Sequence, residues 1–245
     1  MNYLSAITAI AKNENEYLDE WINHHLNIGI EHIFIYDNNS DIPITSSLKE
    51  VTVTSFPGEV KQIPAYHHSL KNNQHCKWMA FIDIDEFIYP KSNLNSILKD
   101  FDFFGGLGMN WRIFGSNNHI SKPLGNVLPN YTSCTKVDYE ENNHIKSFVQ
   151  MKYAERTSGN PHCFAYKDNR LCVSENREVI PNAWSKPSVN LIQLNHYFTK
   201  SLEEFKNKIQ RGRADTNNKD FSRKLEDFYK LQTHCTETDK GILSL

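Results

Sequence analysis

The stretch Trp78-Met79-Ala80-Phe81-Ile82-Asp83-Ile84-Asp85-Glu86-Phe87 carries an apolar run into three acids that burial alone does not explain. Read as a strand from Trp78 to Ile84, it places Asp83 and Asp85 on one face and Ile82 and Ile84 on the other, because strand side chains alternate. Paired carboxylates repel unless a cation joins them. Hard oxygen ligands suit Mg²⁺ or Mn²⁺, ions that keep open positions for substrate phosphates. The chemistry expected is a metal clamp on a diphosphate. The bland alternative is a strand that runs into an acidic turn.

The elements that must position these acids follow from hydrophobic period and capping chemistry. Ser5 to Ala11 reads as a buried strand, and Asn13-Glu14-Asn15-Glu16 as the polar start of a helix whose apolar face is Leu18, Trp21, Ile22 and Leu26, with Gly29 at its end. His32 to Tyr36 is the next strand, which makes a β-α-β unit of ordinary crossover length. Val51 to Phe56 is a third strand and Pro64 to His75 a helix with proline near its first turn. Ser92-Asn93 caps a helix from Leu94 to Phe101, and a strand follows around Met109 to Phe114. From Ser116 to Pro187 the pattern is short strands and hairpins with long loops. Leu191 to Leu194 forms a strand that delivers Asn195-His196-Tyr197. Ser201-Leu202-Glu203-Glu204 is a capping box that opens a helix running to about Gln210 and stopped by Gly212, and Phe221 to Gln232 is a last helix with a frayed tail beyond His234.

The reading is an open α/β sheet whose polar clusters (Lys12 to Glu14, Asp37 to Asp41, Asp83 to Glu86) each follow a strand. Ligands collect beyond the carboxyl ends of strands in such sheets. The chain is read as one domain with a nucleotide pocket at that edge, continuing through residues 105–200, and with C-terminal helices over 201–245 as an extension. At 245 residues and net charge -2, the chain has room for a large core and no excess of charge for coating nucleic acid. Its five cysteines make no CxxC pair, which fits reduced thiols of a cytoplasmic protein and argues against structural zinc. No segment has the run of apolar residues that spans a bilayer.

Taken together, the motifs resemble glycosyltransferase family 92 and its bacterial family 2-like relatives, enzymes of the GT-A fold. The matching pieces are Ala11-Lys12-Asn13-Glu14, Glu20-Trp21 with His24-His25, Ile35-Tyr36-Asp37-Asn38-Asn39-Ser40, the run from Lys77 to Phe87, Trp111-Arg112-Ile113-Phe114-Gly115, and Asn195-His196-Tyr197 with Lys200 to Phe205. They occur in family order, and the resemblance implies a donor-binding half over residues 1–104, an acceptor-binding half of the same domain over 105–200, and C-terminal helices over 201–245 serving as a lid and a membrane-facing surface. The resemblance implies a GT-A type Rossmann-like open mixed sheet and a metal-dependent, inverting transfer of a sugar, UDP-galactose being a first guess, to a glycan or lipid-linked glycan acceptor. It also implies a place in surface polysaccharide or lipopolysaccharide synthesis, with contact at the inner leaflet of the membrane.

By the same resemblance, Mn²⁺ or Mg²⁺ is held by Asp83, Asp85 and His196. On charge and position, Lys200, with Arg211 or Arg213, is read either as adding charge to the leaving diphosphate from a lid or as part of a solvated helix face. Lys12, Glu14 and Asp37 are read as nucleotide contacts, Glu14 otherwise as a helix cap and Asp37 as an Asx turn, and Gln62 either reaches the donor or is exposed. Trp111 and Phe114 are read either as a sugar-stacking platform or as core aromatics, and His162 either as an acceptor contact or as packing. Inversion calls for a general base, for which Glu86, Glu155, Asp168 and Glu175 are candidates on charge alone. Two other readings compete: a nucleotidyltransferase, disfavoured because no glycine-rich loop follows the first strand, and a sugar-nucleotide binding protein without turnover.

Overall fold

The computed structural model describes residues 3–218, 220 and 222–245. One mixed sheet of nine strands organises the chain, and its first eight in spatial order run β3-β2-β1-β4-β8-β6-β12-β5. The strands are β1 (Tyr3–Ala11), β2 (His32–Asp37), β3 (Val51–Ser55), β4 (Cys76–Phe81), β5 (Glu86–Pro90), β6 (Gly106–Ile113), β8 (Ile145–Gln150) and β12 (Ile192–His196), with β11 (Cys172–Val173) beside β6. The order β3-β2-β1-β4 is parallel; β8 is antiparallel to both β4 and β6, β12 is parallel to β6, and β5 closes the edge antiparallel to β12. The sheet therefore continues unbroken past residue 104. Short strands β7 (Ser133–Cys134), β9 (Ala154–Thr157), β10 (Phe164–Tyr166) and β13 (Glu237–Thr238) form two small ladders apart from it.

Alternation along β1 separates two apolar layers. Ile7, Ala9 and Ala11 face a cluster containing Trp21 of α1 (Asn15–Asn27) and Ile97 of α3 (Leu94–Asp100), while Ala6 and Ile10 face Ala65, Tyr66 and Leu70 of α2 (Gln62–Asn72). Helices on both faces of an open mixed sheet are the arrangement expected of a GT-A type domain. The short helix α4 (Val127–Asn130) and the terminal helices α5 (Leu202–Arg211) and α6 (Leu225–His234) complete the chain. Among the described residues, no helix is long and apolar enough to cross a membrane.

Three expectations need correction. β4 ends at Phe81, so Asp83 and Asp85 lie in the turn to β5, a strand that the alternation left unseen. The helix α6 starts at Leu225, and Phe221, its expected first residue, lies outside the described residues. The tail is also anchored: β13 pairs with β7, Ile242 is buried, and Gln193 donates to Asp239. A buried apolar anchor and strand pairing leave those residues little freedom to fray.

Candidate active site

The acids sit in a turn that closes on itself. Glu86 N donates to Asp83 O at 3.1 Å, the i to i+3 bond of a β-turn, and Asp83 N donates back to Glu86 Oε2 at 2.8 Å. The turn is held from three sides. Tyr197 N donates to Asp85 O, Trp21 Nε1 donates to Glu86 O, and Trp111 Nε1 donates to Glu86 Oε1. Beside Trp21, His25 takes Ile88 N on Nε2 and His24 Nε2 donates to Ile88 O, so the Trp21 and His24-His25 motif braces β5 rather than touching a ligand. Burial keeps both imidazoles below their usual pKa and hence neutral.

Asp83 and Asp85 have different partners. Asp83 accepts from Gln62 Nε2 at 2.6 Å and from Lys146 Nζ at 2.9 Å, and the Lys146 side chain is fully buried. Burial alone would lower the Lys146 pKa, but Asp83 and Glu86 outweigh it and hold the ammonium well above the usual lysine range. For Glu86 the balance is opposite: burial, reinforced by Asp83 and Asp85, pushes its carboxyl up to about 8 against the pull of Lys146. Asp85 faces Lys208 Nζ of α5 at 2.5 Å and His196 Nε2 of β12 at 3.6 Å. Burial opposes its ionisation, yet these two neighbours hold its carboxyl well below the usual range.

Of these groups, Gln62, Asp83, Asp85, His196 and Lys208 line a cavity of about 390 Å³ at the carboxyl ends of β1, β4, β6 and β12, large enough for a small ligand. Its acidic wall includes Glu14, Asp83 and Asp85; its basic wall is Lys208, Arg211, Arg213 and Arg223 from α5 and the segment after it. Lys12, Gln62, Trp111, His162 and His196 line it as well. Arg211 bridges to Glu14 at 2.5 Å and to Lys12 O at 2.8 Å, which ties α5 to the end of β1. Lys200, at a left-handed φ of 51°, rests its ammonium over the Tyr17 ring, 3.9 Å from Glu14, in a neighbouring cavity that Asp85 and Lys208 also line.

Other expected site residues fall elsewhere. Asp37 accepts from Ser40 N and Ile44 N, so its carboxylate shapes the loop after β2 and faces a separate groove. Glu175 accepts from Ser188 Oγ, Asn190 N, Leu191 N and Ile192 N at the start of β12, a structural use of all its acceptor capacity. Asp168 and Glu155 are exposed on the β9–β10 side, and Glu86 is fully buried, so none of the four candidate bases lines the cavity. Phe114 is core, packed on Tyr197. Gln62 lines the wall but spends its amide on Asp83 and Tyr66.

Lys146, Lys208 and Arg223 are the residues that sequence reasoning missed. A lysine entering the apolar run Ile145 to Val149 was a visible signal for the first, and Lys208 and Arg211, three apart on α5, for the second. For Arg223, which donates to Gly212 O, nothing local gave notice.

A divalent cation fits the foothold only in part. Asp85 Oδ2 and His196 Nε2, 3.6 Å apart, can both reach one ion at bonds of about 2.1 Å once Lys208 Nζ, 2.5 Å from that same oxygen, gives way, whereas Asp83 is committed to Gln62 and Lys146. Among the described residues, no three His, Cys, Asp or Glu side chains form a ready-made cage.

Comparison with known proteins gives a consistent picture. The model of glycosyltransferase family 92 matches residues 7–228. A glycosyltransferase family 92 protein of Ricinus communis is 28% identical over 220 residues, covering 84% of this chain and 37% of that protein. Another, from Oryza sativa subsp. japonica, is 32% identical over 139 residues, covering 51% of this chain and 24% of that protein. The chain thus spans well under half the length of these relatives. HddC from Yersinia pseudotuberculosis superposes with a TM-score of 0.31 at 9% identity over 59% of this chain and 68% of that one, a likeness too slight to bear on chemistry.

Proposed function

Because the chain belongs to glycosyltransferase family 92, we propose that the cavity binds a nucleotide-sugar and transfers its sugar to a glycan or lipid-linked glycan. The observation that carries this reading is the pairing of an acidic turn with a basic wall across one cavity at the sheet's carboxyl edge. A nucleoside diphosphate leaving group carries charge that grows as the glycosidic bond breaks, and charges fixed in advance stabilise it without reorganisation. Arg211, Arg213 and Arg223 are the cations nearest such a group, and phosphate oxygens would compete there with Glu14 for Arg211 and with Asp215 for Arg213. A bound Mn²⁺ or Mg²⁺ would add Lewis-acid stabilisation of that charge, with Asp85 and His196 as its protein ligands. Lys146 and Gln62 fix Asp83, so its carboxylate offers a constant field and an acceptor for a sugar or ribose hydroxyl.

On the acceptor side, where none of the four carboxylates lines the cavity, His162 is placed to orient the acceptor hydroxyl rather than to serve as the general base. Its ring shares the Trp111 end of the cavity, and its Nδ1–H donates to Ile145 O at 2.8 Å. Burial, helped by Lys146, pushes its pKa down to about 3, so the ring is neutral and Nε2 keeps a lone pair to orient an attacking hydroxyl. UDP as the nucleotide and inversion at the anomeric carbon are further parts of the proposal, supported by the motif resemblance.

The test is UDP release from a panel of UDP-sugars, with and without Mn²⁺, for the wild type and Asp85→Asn. The expected result is Mn²⁺-dependent release, reduced about 100-fold or more by the substitution. Metal-independent turnover that survives Asp85→Asn overturns the assignment.

A further inference from the structure

A run of aromatic rings leads out of the cavity. It begins with His196, whose ring centroid lies 4.4 Å from that of Trp111. Trp111 stacks on His144 at 4.8 Å and 22°. His144 meets Trp184 edge-on at 5.8 Å, and His162 flanks both Trp111 and His144. Trp111 and His162 line the cavity, while Trp184 is 51% exposed. The rings thus lead from the group beside Asp85 to open solvent.

This outer end is built. His144 and Trp184 face each other across an isolated antiparallel bridge, with Ile145 N donating to Ala183 O and Ser185 N to Asn143 O on either side. Asn110 of β6 accepts from Ser185 Oγ and Ser188 N, pinning the same segment to the sheet. A half-exposed indole held this firmly differs from an isolated exposed apolar residue such as Leu124, which makes none of these ring contacts. Polar groups stand at its margin: the Glu141 side chain is half exposed beside His144, and Asn182 accepts from Trp184 N.

We infer that the Trp111–His144–Trp184 run is an extended acceptor subsite, which binds an oligosaccharide with its reactive end at His162 and a more remote sugar ring on Trp184. This rests on the glycosyl-transfer reading of the cavity and names the class of its second substrate. Pyranose rings present an apolar C–H face whose positive edge matches the negative face of an aromatic ring, with hydroxyls projecting sideways to polar groups. Such a surface selects a glycan several sugars long over a free monosaccharide.

The test uses the full chain on an array of immobilised oligosaccharides, with wild type, Trp184→Ala and Trp184→Phe, and calorimetry with UDP in parallel. The expected result is binding of a defined glycan set by the wild type, weakened about tenfold by Trp184→Ala and largely restored by Trp184→Phe. UDP affinity and melting temperature stay unchanged in both variants. Array binding that is unaltered in Trp184→Ala overturns the subsite, and so does a wild-type chain that binds UDP but no glycan on the array. Absence of UDP binding alongside Trp184-dependent glycan binding refutes the donor cavity instead and leaves the glycan track standing.

Discussion

At the scale of residues, Asp83 and Asp85 look equivalent in sequence and are not. The Asp83 carboxylate is spent on Gln62 and on a lysine with no exposed surface, while Asp85 meets a cation carried by a helix that enters from the other end of the chain. The Lys208 ammonium therefore occupies the side of Asp85 that a divalent ion needs. Replacing it by an apolar isostere removes a competitor: Lys208→Met is expected to tighten Mn²⁺ binding several-fold, read from the free-ion signal in electron paramagnetic resonance. Unchanged or weaker affinity would place the ion away from Asp85. The acid pair was legible because three carboxylates after an apolar run have few bland explanations. The lysines facing them were not, since Lys146 and Lys208 reach the turn only through pairings tens of residues long, which no local period encodes.

Among the elements, α5 sets the basic wall, and Glu204 holds α5. Its carboxylate closes the capping box with Ser201 and accepts from Tyr17 Oη at 2.7 Å and Tyr131 Oη at 2.6 Å, fastening the helix to α1 and to the end of α4. Glu204→Ala leaves two partly buried phenols without their acceptor and is expected to cost roughly 2–4 kcal/mol of stability in denaturant titrations. Burial alone would raise the Glu204 pKa, but Ser201, Tyr131 and Tyr17 outweigh it and hold it below the ordinary value of 4.5. A carboxyl depressed in the folded state adds stability that is present above about pH 4.5 and lost as pH falls through the folded value. The gap in melting temperature between wild type and Glu204→Ala should thus narrow from pH 6 to pH 3, and a gap independent of pH contradicts this role. The capping box was plain in Ser201-Leu202-Glu203-Glu204. The end of β4 was not, because the bond from Asp83 N to Glu86 turns the chain three residues before the alternation stops.

For the molecule as a whole, the tail is a working part of the core. Glu237 pairs with Arg112 in β6, Asp239 receives Gln193 from β12, and Ile242 enters the larger apolar cluster. Removing residues 235–245 uncovers the ends of two strands that carry the cavity. The expected outcome is a melting temperature several degrees lower and weaker UDP binding; a truncated chain as stable as the full one refutes the buttress. Residues expected to fray are integral because their partners, Arg112 and Gln193, look like ordinary surface residues until the sheet brings them inward.

The strand order has a consequence for the nascent chain. β5 is made early, yet its ladder partner β12 follows about a hundred residues later and must slot between β5 and β6. Until then the backbone amides of residues 86–90 lack that ladder, an open edge able to recruit a neighbouring polypeptide. Asp85 likewise waits for the amide of Tyr197. Translation therefore completes the cavity late, and a chain halted before residue 196 keeps that edge open and lacks the His196, Lys208 and Arg223 walls.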